Sequence, residues 1–333
     1  MLSADFLALP QAELHLHLEG SLQPETVCAL AAKYGVPTST QDVLQRYAYR
    51  DFLEFIETFK WVSSLLRAPE DFALALHGLG EQLLAQNVVY AEVTLSVGVM
   101  LLRHQSPERN FEAILAEVES LRSRGLQLNF VFDAVRQFGP APAMEVAKIA
   151  AELRNQNVVA FGLGGDELSQ PLQDFRAAYA HAAKNGLHLV AHAGETGGPE
   201  QIKDAIDILH AERIGHGIAA IRSPALMNTL VTRKIPLEIC LTSNLRTNAL
   251  NIQLNSAHCR IAHHPLAKFF RRGIPVTLST DDPAMFHTTL LEEFASAMQT
   301  GLSLNDVLAI NRTAFEHAFL PDATRQSFLA QLP

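Results

Sequence analysis

A chain of 333 residues with 48% hydrophobic side chains has apolar material for two ordinary domains or for one large α/β barrel, which takes about 250 residues plus insertions. Lys and Arg number 26 against 35 Asp and Glu, a formal net charge of −9, so the surface repels a polyphosphate backbone and nucleic acid is not an expected partner. No run of about 18 apolar residues occurs, Met1 to Pro10 carry no secretion-signal pattern, and Cys28, Cys240 and Cys259 form no Cys-x-x-Cys pair; a cytoplasmic protein away from membranes is expected.

Taken in order, the first short apolar run is 12–18. The stretch that follows, 19–87, is far longer than one crossover helix requires. Within it Phe52, Phe55, Ile56 and Phe59 recur at i, i+3, i+4 and i+7, with Trp61 close by. That spacing predicts a helix with one apolar stripe, which either packs on the body of the fold or covers a pocket as a lid. Seven more runs follow at 88–96, 126–133, 158–163, 187–193, 213–217, 236–241 and 275–279. The unbroken hydrophobicity of Val158-Val159-Ala160-Phe161 suits strands buried on both faces, as in a parallel sheet. Helical patterns lie between runs at 110–124, 141–156 and 172–185, with Gly186 where a helix would stop. Strand then helix, about eight times, predicts a (β/α)8 TIM-type barrel with a helical insertion after strand 1 and extra C-terminal helices over 291–333. With no internal repeat, low-complexity tract or linker, residues 1–333 read as a single domain.

Metal-binding and proton-handling side chains stand where these strands end. His15 and His17 alternate along the first run, so both imidazoles share a face and can meet one metal ion. His192 at the end of the fifth and Asp281 at the end of the eighth would complete a set of three nitrogens and one oxygen, a set that suits zinc. Glu195, three residues past His192, is the candidate proton shuttle. His216, between Gly215 and Gly217, could orient or deprotonate a water. Asp281 and Asp282 are adjacent and point to opposite sides, so one is expected on metal and the other on substrate. Gly164-Gly165-Asp166-Glu167 could let a ligand touch backbone groups, or could be a tight turn. Each residue alone has a plainer reading: polar residues at a rim, a buried histidine, a solvated acid or a helix start. Only their shared position in a repeating architecture joins them.

The segments HLHLEGS, GLGGDE, HAGET, RIGHG, LTSNLRT and LSTDDP resemble, in order, the signatures of the adenosine deaminase family within the amidohydrolase superfamily. The resemblance implies a barrel with one Zn2+ that hydrolyses the 6-amino group of an adenine ring and releases ammonia. Carried over, His15, His17, His192 and Asp281 would bind zinc, and His216 would hold or deprotonate the attacking water. Glu195 would protonate ring N1 as water adds at C6, Gly165 would offer its N–H to N3, and Asp282 would bond N7. His17 and Glu19 would stand on the substrate side. No lysine lies in 162–167 to bridge two metals, which favours one. Glu19 stands where adenosine-specific relatives typically carry Asp facing the ribose 5′ hydroxyl, and Leu241 where Pro is common. The expected partner is therefore a small aminopurine: adenosine or a 5′-modified adenosine, with free adenine or aminodeoxyfutalosine as alternatives.

Overall fold

The computed structural model describes residues 2–333. Each apolar run extends into a strand: β1 (Gln11–His17), β2 (Val88–Leu95), β3 (Gln127–Val135), β4 (Val158–Gly164), β5 (His188–Ala193), β6 (Arg213–His216), β7 (Leu237–Ile239) and β8 (Val276–Leu278). All pair parallel in sequence order. The ring closes through a parallel bridge between Leu16 and Asp281, where Asp281 O accepts His17 N–H at 2.7 Å and His15 O accepts Asp281 N–H at 3.1 Å. The expected barrel is present, and its strands need continuous hydrophobicity because helices cover their outer faces while side chains fill the interior.

Closure rests on a single bridge because side chains replace part of the ladder. His15 N–H donates to Ser279 Oγ at 3.1 Å, and Thr280 N–H donates to Glu13 Oε1 at 2.8 Å. For the same reason β8 is shorter than the apolar run that announces it. The helix expected over 110–124 begins earlier, at Pro107, behind the N-cap Ser106; proline is tolerated there because the first helical N–H has no partner in any case. The one expected over 172–185 divides into a 3-10 turn (Leu172–Phe175) and a helix (Arg176–Lys184), after which Gly186 takes φ +79°.

The insertion after β1 folds as α1 (Pro24–Lys33), α2 (Thr40–Arg46), α3 (Phe52–Ser63) and α4 (Pro69–Ala85). The stripe on α3 does both things its pattern allowed. Phe55 stacks on Phe286, just beyond β8, with ring centroids 5.1 Å apart, and Phe52, Phe55, Ile56 and Phe59 together wall the cavity at the strand C-terminal ends. At the opposite end Ala314, Phe315 and Leu320 of the C-terminal segment pack on Ala12, Leu14 and Tyr90, closing the barrel floor. No helix among the described residues is long and apolar enough to cross a membrane.

Candidate active site

Alternation along β1 places His15 and His17 on one face, and β5 and β8 bring their ends to the same spot. His17 Nε2 lies 3.3 Å from His192 Nε2 and 3.4 Å from Asp281 Oδ1, and His15 Nε2 lies 3.4 Å from that same oxygen. Ligands at about 2.1 Å around a tetrahedral ion stand about 3.4 Å apart, and these three distances have that spacing. A looser grouping admits His216 with His15, His192 and Asp281, each offering an atom within 4.8 Å of the others. His216 Nε2 is 3.8 Å from Asp281 Oδ2.

The surroundings favour a cation here. His15 Nε2 is buried without a hydrogen-bond partner, while its Nδ1 is held by Glu238 Oε2 at 2.8 Å. Burial opposes charge on His15, yet the Asp281 and Glu238 carboxylates outweigh it and push its pKa up to about 10. Burial keeps His17 neutral, pushed down to about 4, and lowers His192 well below its ordinary value. Asp281 is held below the usual carboxylate range, burial being outweighed by the surrounding histidines. His17 and His192, neutral beside an ionised Asp281, are in the states that metal binding needs, whereas His15 must give up its Nε2 proton to join them, a proton that a metal cation at the same carboxylates would replace. Asp281 and His216 both adopt left-handed backbone, with φ +66° and +60°, a conformation that costs non-glycine residues of order 1–3 kcal/mol and gathers at functional sites.

Glu195 sits beside this cluster, its Oε2 3.7 Å from His216 Nε2. Burial, followed by the charges of Asp281 and Glu167, raises its pKa well above the ordinary value, which favours the protonated form. Thr247 Oγ1 is 3.2 Å from Glu195 Oε1 and 2.8 Å from Ser243 O, so its hydroxyl proton is shared between these two acceptors. Four backbone N–H groups, those of Gly194, Glu195, Thr196 and Gly197, donate to the buried Glu167 carboxylate. That array fixes the loop on which Glu195 rides.

A cavity of about 110 Å³ opens above these groups. Gly165 lines it with φ +94°, and a Cβ there would collide with Gln137 Oε1. Asp282 also lines it, with Oδ1 unpartnered in the space that a Cβ on Gly20 would take. Glu19 does not line the cavity: its Oε1 accepts Ser96 N–H at 3.0 Å, Oε2 has no partner, and burial raises its pKa to about 7. Ser96 faces the cavity instead.

The adenosine deaminase family model matches residues 10–332. The chain belongs to the adenosine deaminase family. Family members of this type are hydrolases acting on C–N bonds, and the chain is a deaminase of adenine-type substrates. It is 36% identical over 332 residues to an aminodeoxyfutalosine deaminase of Streptomyces coelicolor, covering 96% of this chain and 82% of that one. It is 34% identical over 327 residues to an adenine deaminase of Chelativorans sp., covering 97% and 98%. The crystal structure of adenine deaminase from Arthrobacter aurescens superposes with a TM-score of 0.89 at 27% identity, covering 97% of this chain and 98% of the other.

Further residues, to which the motifs assigned no role, surround these groups in the deaminase. Glu238 bridges His15 to the fully buried Arg213, whose Nε lies 2.6 Å from Glu238 Oε1 and whose Nη2 lies 2.5 Å from Glu92 Oε2. Burial resists ionisation of Glu238, but Arg213 and His15 push its pKa down to about 2. Ser243 Oγ donates to Asp281 Oδ2 at 2.6 Å. Asp133 lines the cavity from the end of β3, occupying the space a Cβ on Gly162 or Gly164 would need. A faint signal existed for two of them: Glu238 stands between Leu237 and Ile239 in β7, and Asp133 is the single acid of β3.

Proposed function

We propose that this chain hydrolyses the 6-amino group of an adenine-containing nucleoside, adenosine or a 5′-modified adenosine, using one zinc ion held by His15, His17, His192 and Asp281. The carrying observation is geometric: the buried Glu195 carboxyl, its pKa pushed up, sits beside His216 and next to histidine and aspartate atoms at metal-ligand spacing. Zinc held by these residues would supply Lewis acidity, lowering the pKa of a water toward about 7 and so providing the nucleophile at neutral pH. Glu195 would hand its proton to ring N1 while water adds at C6, letting the ring accept the electron pair that would otherwise return to the nucleophile. Ammonia leaves, so the departing nitrogen must gain a proton that water loses; Glu195, then a carboxylate, is the group placed to carry it. Gly165, through its N–H, and Asp282, through its unpartnered oxygen, would hold N3 and N7. The activity named for the Streptomyces relative, on a 5′-modified adenosine, supports the nucleoside reading.

Free adenine is the second reading, favoured by two observations. The cavity of about 110 Å³ is below the roughly 300–1,000 Å³ typical of sites for larger ligands, and the Glu19 carboxyl is turned to Ser96 rather than into the cavity. Ammonia release from adenosine, adenine and aminodeoxyfutalosine at matched concentrations decides among them. Turnover of none of the three by zinc-loaded protein would overturn the proposed reaction.

A further inference from the structure

Three buried side chains behind the cavity form a hydrogen-bond chain whose polarity is set at its far end. Leu266 N–H donates to His264 Nδ1 at 3.1 Å. A backbone N–H can only donate, so His264 Nδ1 bears no proton and its single ring proton sits on Nε2. That Nε2–H faces Asn244 Oδ1 at 3.2 Å, which settles the orientation of the Asn244 carboxamide. Its Nδ2 then donates to His216 Nδ1 at 3.0 Å. His216 Nδ1 is therefore the acceptor, and the one proton of the neutral ring lies on Nε2. Across the site that nitrogen faces Glu195 Oε2 at 3.7 Å and Asp281 Oδ2 at 3.8 Å, oxygens that suit an N–H pointing at them. His264, Asn244 and His216 are 4%, 0% and 1% exposed, so water has little access with which to scramble the chain.

We propose that Asn244 and His264 are positioning residues that lock His216 as its Nε2–H tautomer, so that His216 meets the attacking oxygen as a hydrogen-bond donor and does not take its proton. This rests on the deamination reading above, and it narrows the role of His216 from two possibilities to one. An imidazole whose Nε2 bears hydrogen has no lone pair there to accept another proton. Water's proton must then go to a carboxylate, and His216 holds the oxygen in line with C6. The same polarity argues against His216 as a zinc ligand through Nε2, leaving that place to His17.

The test uses the zinc-loaded full chain with 15N-labelled histidine, because ring nitrogen shifts separate a protonated from an unprotonated Nδ1 and Nε2 whether or not a substrate turns over. The unsubstituted protein is expected to show His216 protonated on Nε2. Asn244→Asp keeps the shape and makes the link an acceptor at both ends; it should move the His216 proton to Nδ1 and lower kcat at least tenfold with KM little changed. His264→Gln can still donate to Asn244 Oδ1, and should keep both the tautomer and kcat within a few-fold. A His216 ring protonated on Nδ1 in the unsubstituted protein overturns the proposal. So does an Asn244→Asp protein with reversed tautomer and unchanged kcat. If no aminopurine is deaminated while the nitrogen shifts come out as expected, the hydrogen-bond lock stands and only the reaction assigned to it falls.

Discussion

Replacing Glu238 with Gln tests how the barrel interior supports the metal corner. In the folded protein the Glu238 carboxylate accepts from two donors, His15 Nδ1 at 2.8 Å and Arg213 Nε at 2.6 Å. A Gln of the same shape has one oxygen for two donors, so its amide nitrogen must face either His15 or Arg213. One bond to a charged or charge-bearing group is lost, about 1.5–3 kcal/mol. Breaking a buried ion pair outright costs about 3–5 kcal/mol, but Arg213 keeps Glu92 at 2.5 Å and the His317 carbonyl at 3.0 Å, so the smaller figure applies. If the amide nitrogen turns to His15, that ring loses its orienting partner, and zinc affinity should fall about 10- to 100-fold. Competition against a chromophoric chelator reads the affinity, and urea unfolding of zinc-free protein reads the stability. The pH dependence adds a signature. Glu238 is pushed down to about 2 in the fold from about 4.3 when unfolded, so its contribution is present above about 4.3 and is lost as pH falls toward 2. Glu238→Gln should lose less stability over that window than the parent. Zinc affinity within twofold of the parent, with an unfolded-state midpoint unshifted, would refute the view that Glu238 supports both His15 and Arg213.

Three further outcomes are expected. Glu195→Gln should lower kcat by about 10²- to 10⁴-fold, the range for a lost acid–base group, while metal analysis finds zinc unchanged; near-normal turnover would remove Glu195 from its assigned role. Asp281→Ala removes the oxygen that stands 3.4 Å from both His15 Nε2 and His17 Nε2, and purified protein should contain well under one zinc per chain. Phe55→Ala should cost about 3–5 kcal/mol by emptying the space between α3 and Phe286, measured by urea denaturation, and should raise KM more than it lowers kcat because Phe55 walls the cavity without touching the metal corner.

The barrel was legible from the chain because short, mostly apolar runs alternating with helical segments suit parallel strands covered on both faces, and the eight runs became β1 to β8 nearly in place. The residues at the metal corner were legible for a related reason: His15, His17, His192, His216 and Asp281 are polar groups at the ends of such strands, where a barrel gathers them. Two kinds of information lay outside linear order. Which polar groups serve the site from behind depends on contacts between strands far apart in sequence, so Glu238 and Arg213 could be seen as isolated charges but not as partners of His15. The direction in which hydrogen bonds run is likewise a property of a closed chain of contacts. Leu266 N–H sets the proton on His216 fifty residues earlier in sequence, through His264 and Asn244, only because tertiary packing brings the four groups into one buried line. Local composition specifies which side chains are present and on which face; the three-dimensional enclosure decides which of them are ionised, which donate and which accept, since those depend on desolvation and on the nearest partner.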